Sequence, residues 1–229
     1  MANLWRIVGG PALALALLLV AAGGQALAQA ETSDAGGDPE DQIIMEILDE
    51  DALLLVSRAE GRDVVRVLGR NVVRHRQRVV WSNQLEYDEE QRRAVATGDV
   101  ELVDEGDEPL ELFADYVELD LDNETAFARG HVRFTRDQLR GSAEEMHYGD
   151  YALLQAFIEE ELRARRAGAA VETVLAEFLP DDAVLVLMGA VHLNDGDREI
   201  STDFVVHNTR SEALFSVGRS AARLPGPEE

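Results

Sequence analysis

The chain of 229 residues contains no cysteine and no lysine, and aromatic residues make up only 6% of it. Without cysteine the protein cannot form disulfides, thiolate metal sites, a nucleophilic thiol or a lipidated N-terminal cysteine. All 21 basic residues are arginine, against 45 acidic residues, so the formal net charge is −24. Because a nucleic-acid backbone is bound through a cationic face, this charge argues against nucleic acid as a partner.

The N-terminal 28 residues have the composition of an export signal. Met1 to Arg6 is a short, weakly positive start, Ile7 to Ala22 is apolar, and Ala26-Leu27-Ala28 offers the small residues that a signal peptidase requires. We predict cleavage after Ala28, with Ala30 as the alternative site. The other interpretation is an uncleaved membrane anchor, although the apolar stretch is shorter than the ~20 residues of a spanning helix. Cleavage would place the protein in the periplasm.

The remaining chain is predicted to hold one domain with flexible ends. Residues 29–50 are rich in acidic, small and turn-forming residues and are predicted to be a flexible leader. Residues 51–218 form the predicted domain, and residues 219–229, with two prolines, form a C-terminal tail. Hydrophobic residues make up 46% of the chain, so this domain has enough apolar surface to fold despite its acidity.

An internal repeat carries most of the information in the sequence. The four copies begin at Gly69, Gly98, Gly130 and Gly189. Each copy later passes through a frame of a small residue, an acid or amide, an aliphatic and an aromatic-like residue. The frames are Ser82–Asp88, Ala114–Asp120, Ala143–Gly149 and Thr202–Asn208. The frame's aliphatic residue follows the glycine by 16 positions in the first, third and fourth copies and by 19 in the second.

Side chains alternate with a period of two within each copy, which predicts strands with one apolar and one polar face. In the first frame, the alternation predicts Trp81 and Asn83 on the same face as Leu85 and Tyr87. Turn-forming residues separate these strands every eight to twelve residues. The sequence therefore predicts an all-β meander, closed or rolled around one apolar interior.

One insertion interrupts the repeat, because the third copy takes 59 residues to reach Gly189. Apolar residues recur within it at intervals of three and four, which predicts an amphipathic helix or a helical hairpin at about 150–180, hinged at Gly168. This segment either packs on a sheet edge or barrel mouth, or covers a ligand opening as a lid.

No pattern for catalysis or for cofactor binding is present. The five histidines show no metal-ligand spacing; they are His75, His131, His147, His192 and His207. The chain also lacks a nucleophile elbow and a glycine-rich phosphate loop. We therefore expect a protein that is not an enzyme and that uses no metal and no cofactor.

The repeated frame resembles that of the OstA-like family of periplasmic lipopolysaccharide transport proteins. The similarity covers about residues 57–148 and 183–217, and its most specific stretch is Gly141 to Tyr148. The resemblance implies a twisted β-jelly roll that carries lipid A acyl chains in its interior. It further implies head-to-tail stacking into a bridge between the two membranes, and contacts with OstA-like domains of inner- and outer-membrane export proteins. Two features depart from the family: the helical insertion, and Asn71 in place of a valine, which suggests a bulge or a misalignment there.

Lipopolysaccharide carries phosphates, which so acidic a protein cannot hold by bulk attraction. We therefore expect affinity to come from buried acyl chains, at ~0.8 kcal/mol per methylene, with the head group outside or bridged by divalent cations. The interior positions that would contact lipid are Leu85, Tyr87, Val100, Val117, Leu119, Val132, Phe134, Met146, Tyr148, Val191, Leu193 and Val205. For each of them, ordinary core packing is the alternative.

Three hypotheses for function remain at this point. The favoured one is a soluble periplasmic bridge for lipopolysaccharide, with unpaired edges at a first strand near Val64–Leu68 and a last strand near Phe204–Val217. The second is a relative in the same export machine that stays anchored in the inner membrane through residues 7–22. The third is a polysaccharide hydrolase on a jelly-roll scaffold, which would need two carboxylates facing each other in a cleft.

Overall fold

The computed structural model describes residues 3–7, 43–59, 62–106, 109–165, 183–196 and 198–223. The elements, in chain order, are β1 (Asn3–Ile7), β2 (Ile43–Ile47), β3 (Leu53–Ala59), β4 (Arg62–His75), β5 (Arg78–Asp88), β6 (Arg93–Asp104), β7 (Leu110–Asp120), β8 (Thr125–Arg136), β9 (Leu139–Asp150), α1 (Tyr151–Ala164), β10 (Ala183–Asp195), β11 (Arg198–Asn208), β12 (Leu214–Ser216) and β13 (Ala221–Arg223). No helix within these ranges is long and apolar enough to cross a membrane.

The strands form one antiparallel sheet in which chain neighbours pair with each other from β4 to β11. This confirms the all-β prediction and the meander connectivity. Near each edge of the sheet, two short strands pair with the same long strand. At one edge β2 and β3 both pair with β4, and at the other edge β12 and β13 both pair with β11.

Each repeat glycine lies inside a long strand, at a β-bulge. The pairing register shifts by one residue at Gly69, Gly98, Gly130 and Gly189, where each glycine has a positive φ between 72° and 119°. The same shift recurs in every pairing from β4/β5 to β10/β11. Because a bulge bends its strand, the aligned bulges form a crease across the whole sheet.

The crease divides the sheet into two halves. Half-sheet A consists of β2, β13 and residues 71–75, 78–82, 100–104, 110–114, 132–136, 139–143, 191–195 and 198–202. Half-sheet B consists of β3, β12 and residues 64–68, 84–88, 93–97, 116–120, 125–129, 145–150, 183–188 and 204–208. Buried side chains of both halves belong to a single core, so the two inner faces pack on each other.

The acid or amide of the repeat frame packs over a bulge glycine. A methyl group on Gly130 would lie 2.5 Å from Asp115 Oδ2, and one on Gly189 would lie 2.4 Å from Glu144 Oε2. Asp115 Oδ2 also accepts a 2.8 Å hydrogen bond from Nδ1 of His131, the residue after the glycine. The glycine and the frame therefore recur together because they are two parts of one bulge.

The bulges correct the predicted faces of β5. Trp81 and Asn83 were predicted on the inner face with Leu85 and Tyr87, but the structure places Val80 and Ser82 among the buried residues of half-sheet A. At the crease β5 has one residue fewer than β4 and β6, so its inner positions are even-numbered before the crease and odd-numbered after it. A strict period of two cannot detect this reversal.

Asn71 occupies the regular valine position of the repeat. It pairs with Ser82, as Val100 pairs with Ala114 and Val132 pairs with Ala143. The Asn71 side chain is fully buried, donates to the Gly69 carbonyl at 2.9 Å and accepts from the Ser82 hydroxyl at 3.0 Å. The first copy therefore has the same bulge as the others, and its register needs no displacement.

Some of the described strands lie outside the predicted domain boundaries, residues 51–218. Strand β2 lies in the predicted leader, and its residues Ile43, Met45 and Ile47 are buried in the core. Strand β13 lies in the predicted tail and pairs with β11. Strand β1 lies in the predicted signal peptide and pairs antiparallel with β2, while residues 8–42, which include the apolar run of the anchor hypothesis, lie outside the described part of the chain.

Helix α1 confirms the first part of the helical insertion. Ile158 and Leu162 are buried against the outer face of β10 and β11, where Val184, Val186 and Phe204 lie. The helix therefore packs on the outer face of the sheet, whereas the prediction placed it on a sheet edge or barrel mouth, or over a ligand opening. Gly168 and the second predicted helical stretch fall in residues 166–182, outside the described residues.

Candidate functional site

The interior between the two half-sheets is the candidate site. All of the predicted interior residues belong to this core or pack on it: Leu85, Tyr87, Val100, Val117, Leu119, Val132, Phe134, Met146, Val191, Leu193 and Val205 are buried, and Tyr148 is half-buried. The structure thus brings residues of every repeat copy into one apolar surface. Their role in binding lipid stays a prediction, since burial alone is also what ordinary packing produces.

Two small cavities lie between the half-sheets. One, of about 20 Å³, is lined by side chains that include Met45, Tyr87 and Val117, and the other, of about 30 Å³, by side chains that include Leu112 and Leu185. Arg78 and Leu119 line both cavities. A water molecule needs ~10–15 Å³, so each cavity holds one or two waters at most. An acyl chain therefore enters only if the half-sheets move apart.

A wider, more polar pocket of about 340 Å³ adjoins the cavities on the Arg78 and Tyr148 side. The loop Asp122–Glu124 and the start of α1 at Leu153 line it. Its charges are largely paired, because Arg78 bonds to Asp104 at 2.7 Å and Arg92 contacts Asp122 at 2.7 Å. This pocket is the mouth of the interior, and its wall combines paired charges with an exposed leucine.

A second arginine, Arg136, lies in the wall of the larger cavity with only 6% of its surface exposed. Burial lowers its pKa, because desolvation disfavours the charged form. A guanidinium remains charged in proteins even so. Arg78 therefore lies at the boundary between the apolar interior and the mouth, whereas Arg136 is a cation in the wall of the larger cavity.

Two histidines on opposite faces of half-sheet B are held in the neutral form by burial. His207 faces the interior near Arg136, and burial lowers its pKa to about 4. His147 faces outward, stacks between Phe127 and Phe157 at ring-centroid distances of 4.7 and 4.3 Å, and also has a pKa lowered to about 4 by burial, partly opposed by Glu161. Neither ring nitrogen His147 Nε2 nor His207 Nδ1 has a hydrogen-bond partner among the described residues.

These histidines predict acid sensitivity. A folded-state pKa below the unfolded value of about 6.5 means that the unfolded chain binds more protons, so stability falls as the pH drops from about 6.5 towards 4. We expect His147→Phe to reduce the loss of thermal stability between pH 7 and pH 4.5, measured by circular dichroism. An unchanged pH dependence in His147→Phe would contradict the prediction.

A second apolar cluster, beneath α1, was not predicted from the sequence. It contains Val184, Val186, Phe204 and Val206, with Phe215 and Val217 packed at its margin. The signal was present, since 184–187 and 204–206 are uninterrupted apolar runs, which indicate strands buried on both faces. The guanidinium of Arg165 lies 4.6 Å from the centre of the Phe204 ring and closes one side of the cluster.

No group of three or more metal-ligating side chains occurs in the described parts of the chain. The expectation of no metal or cofactor stays a prediction. The five histidines lie on different strands. His131 contacts Asp115, and His192 contacts Ser201 at 2.9 Å.

The chain has a likeness in fold to solved structures. No protein-family model matches the chain, and no curated protein matches it. Among solved structures, the chain is similar to LptH from Pseudomonas aeruginosa, described as the LptA-homologous periplasmic component of the conserved lipopolysaccharide transport device. The sequences are 11% identical, the TM-score is 0.41, and the match covers 48% of this chain and 77% of LptH.

Proposed function

We propose that the protein binds lipid acyl chains between its half-sheets and acts as a periplasmic component of lipopolysaccharide transport, assembled head to tail. The observation that carries the proposal is the single apolar interior, which every repeat copy lines and which adjoins a polar mouth. Such an arrangement suits a ligand with long apolar chains and a polar head. It offers each chain burial at ~0.8 kcal/mol per methylene and leaves the head at the mouth.

The charge distribution supports binding through acyl chains rather than phosphates. The net charge is −24, and Arg78 at the mouth is already paired with Asp104. Arg78 lies where the larger cavity meets the mouth and Arg136 lies in the wall of that cavity, so they are placed to meet the polar end of a chain rather than to gather phosphates at long range. Divalent cations would bridge phosphates to the acidic surface.

The edges of the sheet support head-to-tail assembly. The roll is not closed, because β1 (paired on β2) and β3 end the sheet on one side and β12 and β13 end it on the other. The edge of β2 accepts an added antiparallel strand, as its pairing with β1 demonstrates within this chain. If the predicted signal peptide is removed, β1 leaves with it and the β2 edge becomes available to a second molecule.

Photocrosslinking tests the binding site. A photoreactive residue at Leu119, which lines both cavities, should label lipid A strongly in delipidated protein. The same photoreactive residue at Glu118, the position before Leu119 in β7, should label weakly. Glu118 lies on the outer face, where its carboxylate accepts a 2.8 Å hydrogen bond from the Tyr116 hydroxyl. Equal or stronger labelling from Glu118 would overturn the proposed site.

Opening of the roll is a separate prediction. Because the cavities hold only one or two waters, lipid must drive half-sheet A away from half-sheet B. The absence of cysteine allows spin labels at Gln84→Cys and Glu111→Cys, exposed positions in half-sheets B and A. We expect their distance distribution to lengthen when lipid A is added.

A label pair within one half is the control for opening. Glu111→Cys and Arg140→Cys both lie in half-sheet A and are exposed, so their separation should stay constant. If the pair that spans the crease is equally unaffected at saturating lipid, acyl chains do not enter between the half-sheets.

A further inference from the structure

The outer face of half-sheet B ends in exposed leucines at the β3 edge. Leu54 packs on the inner core, so its neighbours Leu53 and Leu55 face outward. Their exposed fractions are 59% and 49%, and Leu68, which pairs with Leu53, is 38% exposed. Long apolar side chains on an edge strand favour association with another chain, and proteins usually place charges there instead.

The opposite edge of half-sheet B ends in apolar side chains on the same face. Leu214 packs on the inner core, whereas Phe215 and Val217 pack against the cluster beneath α1. Both side chains are half-buried, because β12 is the last strand of this half. The cluster held by Ile158 and Leu162 therefore extends to the edge of the sheet and stops there.

The two edges are complementary in chain direction. Strand β3 runs away from the crease, from Leu53 opposite Leu68 to Ala59 opposite Arg62. Strand β12 runs towards the crease, from Leu214 opposite His207 to Ser216 opposite Val205. A β3 strand of a second copy laid beside β12, half-sheet B to half-sheet B, is therefore antiparallel. The same holds in half-sheet A, where β2 runs towards the crease and β13 away from it.

We propose that Leu53 and Leu55 of one copy complete the outer apolar cluster of the next, so that the helical insertion forms part of the junction between copies. The inference rests on the proposed head-to-tail assembly and specifies how it is sealed. A register that keeps both faces consistent and aligns the creases of the two copies places Leu53 opposite Val217 and Leu55 opposite Phe215 on the outer face. On the inner face, Val56 then lies opposite Leu214, so the apolar interior also continues across the junction.

Half-sheet A offers much less apolar surface at its edges. All of β13 is exposed, and it consists of Ala221, Ala222 and Arg223. On β2 the outer positions are Ile44 and Glu46, and Glu46 lies 3.8 Å from Arg74. The apolar contact between copies therefore belongs to half-sheet B, the half on which α1 packs. In this proposal, α1 holds the outer face of β10 to β12 in place for contact with the next copy.

A matched pair of substitutions tests the proposed contact between β3 of one copy and β12 of the next, which we call the seam. We expect Leu55→Asp to raise the dissociation constant for self-association of the exported chain at least tenfold in sedimentation velocity, since a leucine lost from an apolar contact is worth about that factor. Val103→Asp introduces the same carboxylate on β6 in the middle of half-sheet A, away from the edges, and should associate as the wild type. Circular dichroism should show both variants folded.

Cysteine pairs test the register in a chain that has no cysteine of its own. Mixed and oxidised, Leu53→Cys protein and Val217→Cys protein should form a disulfide-linked heterodimer, as should Leu55→Cys and Phe215→Cys. Leu55→Cys with Leu153→Cys should not. If the wild type associates but Leu55→Asp associates equally well and neither pair crosslinks, the seam is wrong while head-to-tail assembly stands. A wild type that is monomeric at every concentration overturns both, and lipid crosslinking at Leu119 then tests acyl binding alone.

Discussion

Replacing Gly130 with alanine is expected to lower the free energy of unfolding by about 2–4 kcal/mol. Gly130 has a φ of 79°, which costs an L-residue ~1–2 kcal/mol, and a methyl group there would lie 2.9 Å from Asp115 Cβ as well as 2.5 Å from its carboxylate. The backbone of β7 fixes Asp115 Cβ, so the clash cannot be relieved by a side-chain rotation alone. Urea denaturation of the two proteins measures the difference.

Two further variants separate the causes of that loss. Gly196→Ala introduces a methyl group at a φ of 59° with only Gln138 Oε1 nearby, at 4.0 Å, so it should show the backbone cost alone. The double variant Gly130→Ala with Asp115→Ala should recover part of the loss, because it shortens the side chain over the bulge. If Gly130→Ala costs no more than Gly196→Ala, close packing of the frame acid on the glycine does not stabilise the crease.

Val117→Asp is expected to remove most or all of the folded protein. Val117 has no exposed surface, lies in the core shared by both half-sheets and lines the smaller cavity. An unpaired carboxylate there costs several kcal/mol, and a domain of this kind has only ~5–15 kcal/mol in total. Thermal unfolding followed by circular dichroism should show the loss without any lipid present.

A second valine provides the control for that substitution. Val103 lies in half-sheet A opposite Glu111 and Val79 and is half-exposed, so Val103→Asp should cost less than about 1 kcal/mol. A folded, stable Val117→Asp protein would mean that water reaches the interior freely. In that case the apolar interior could not shelter acyl chains either.

Most of the inner face was predictable because alternation is a local property. The residues Val117 and Leu119, or Val132 and Phe134, lie on one side of a bulge, so a period of two assigns both correctly. Trp81 was misplaced because β5 has one residue fewer than β6 at the crease, which reverses the inner face between Trp81 and Leu85, and this difference depends on the bulge in the neighbouring strand. The glycine and the frame acid were both visible in the sequence, but their contact across strands was not.

The helix and the sheet edges show a second limit of prediction from sequence, which is that the pattern of a segment does not reveal what the segment packs against. The spacing of Ile158 and Leu162 predicts a helix with one apolar side, yet it does not reveal which surface that side covers. The partner surface was recognisable only as continuous apolar runs in β10 and β11, which contain no period at all. Strand β2 was assigned to a leader because acidic and small residues precede it, although Ile43, Met45 and Ile47 alternate as a strand should.

The width and the length of the interior depend on different features of the chain. Each long strand carries its own bend, so the width of the interior is determined within a single strand by the residues on either side of the glycine. The length of the interior depends only on how many strands lie side by side, at ~4.8 Å each. A hairpin inserted or deleted between repeats would therefore change the length by about 10 Å and leave the cross-section unchanged. The fold is therefore extended in units of one hairpin, each of which repeats the same cross-section.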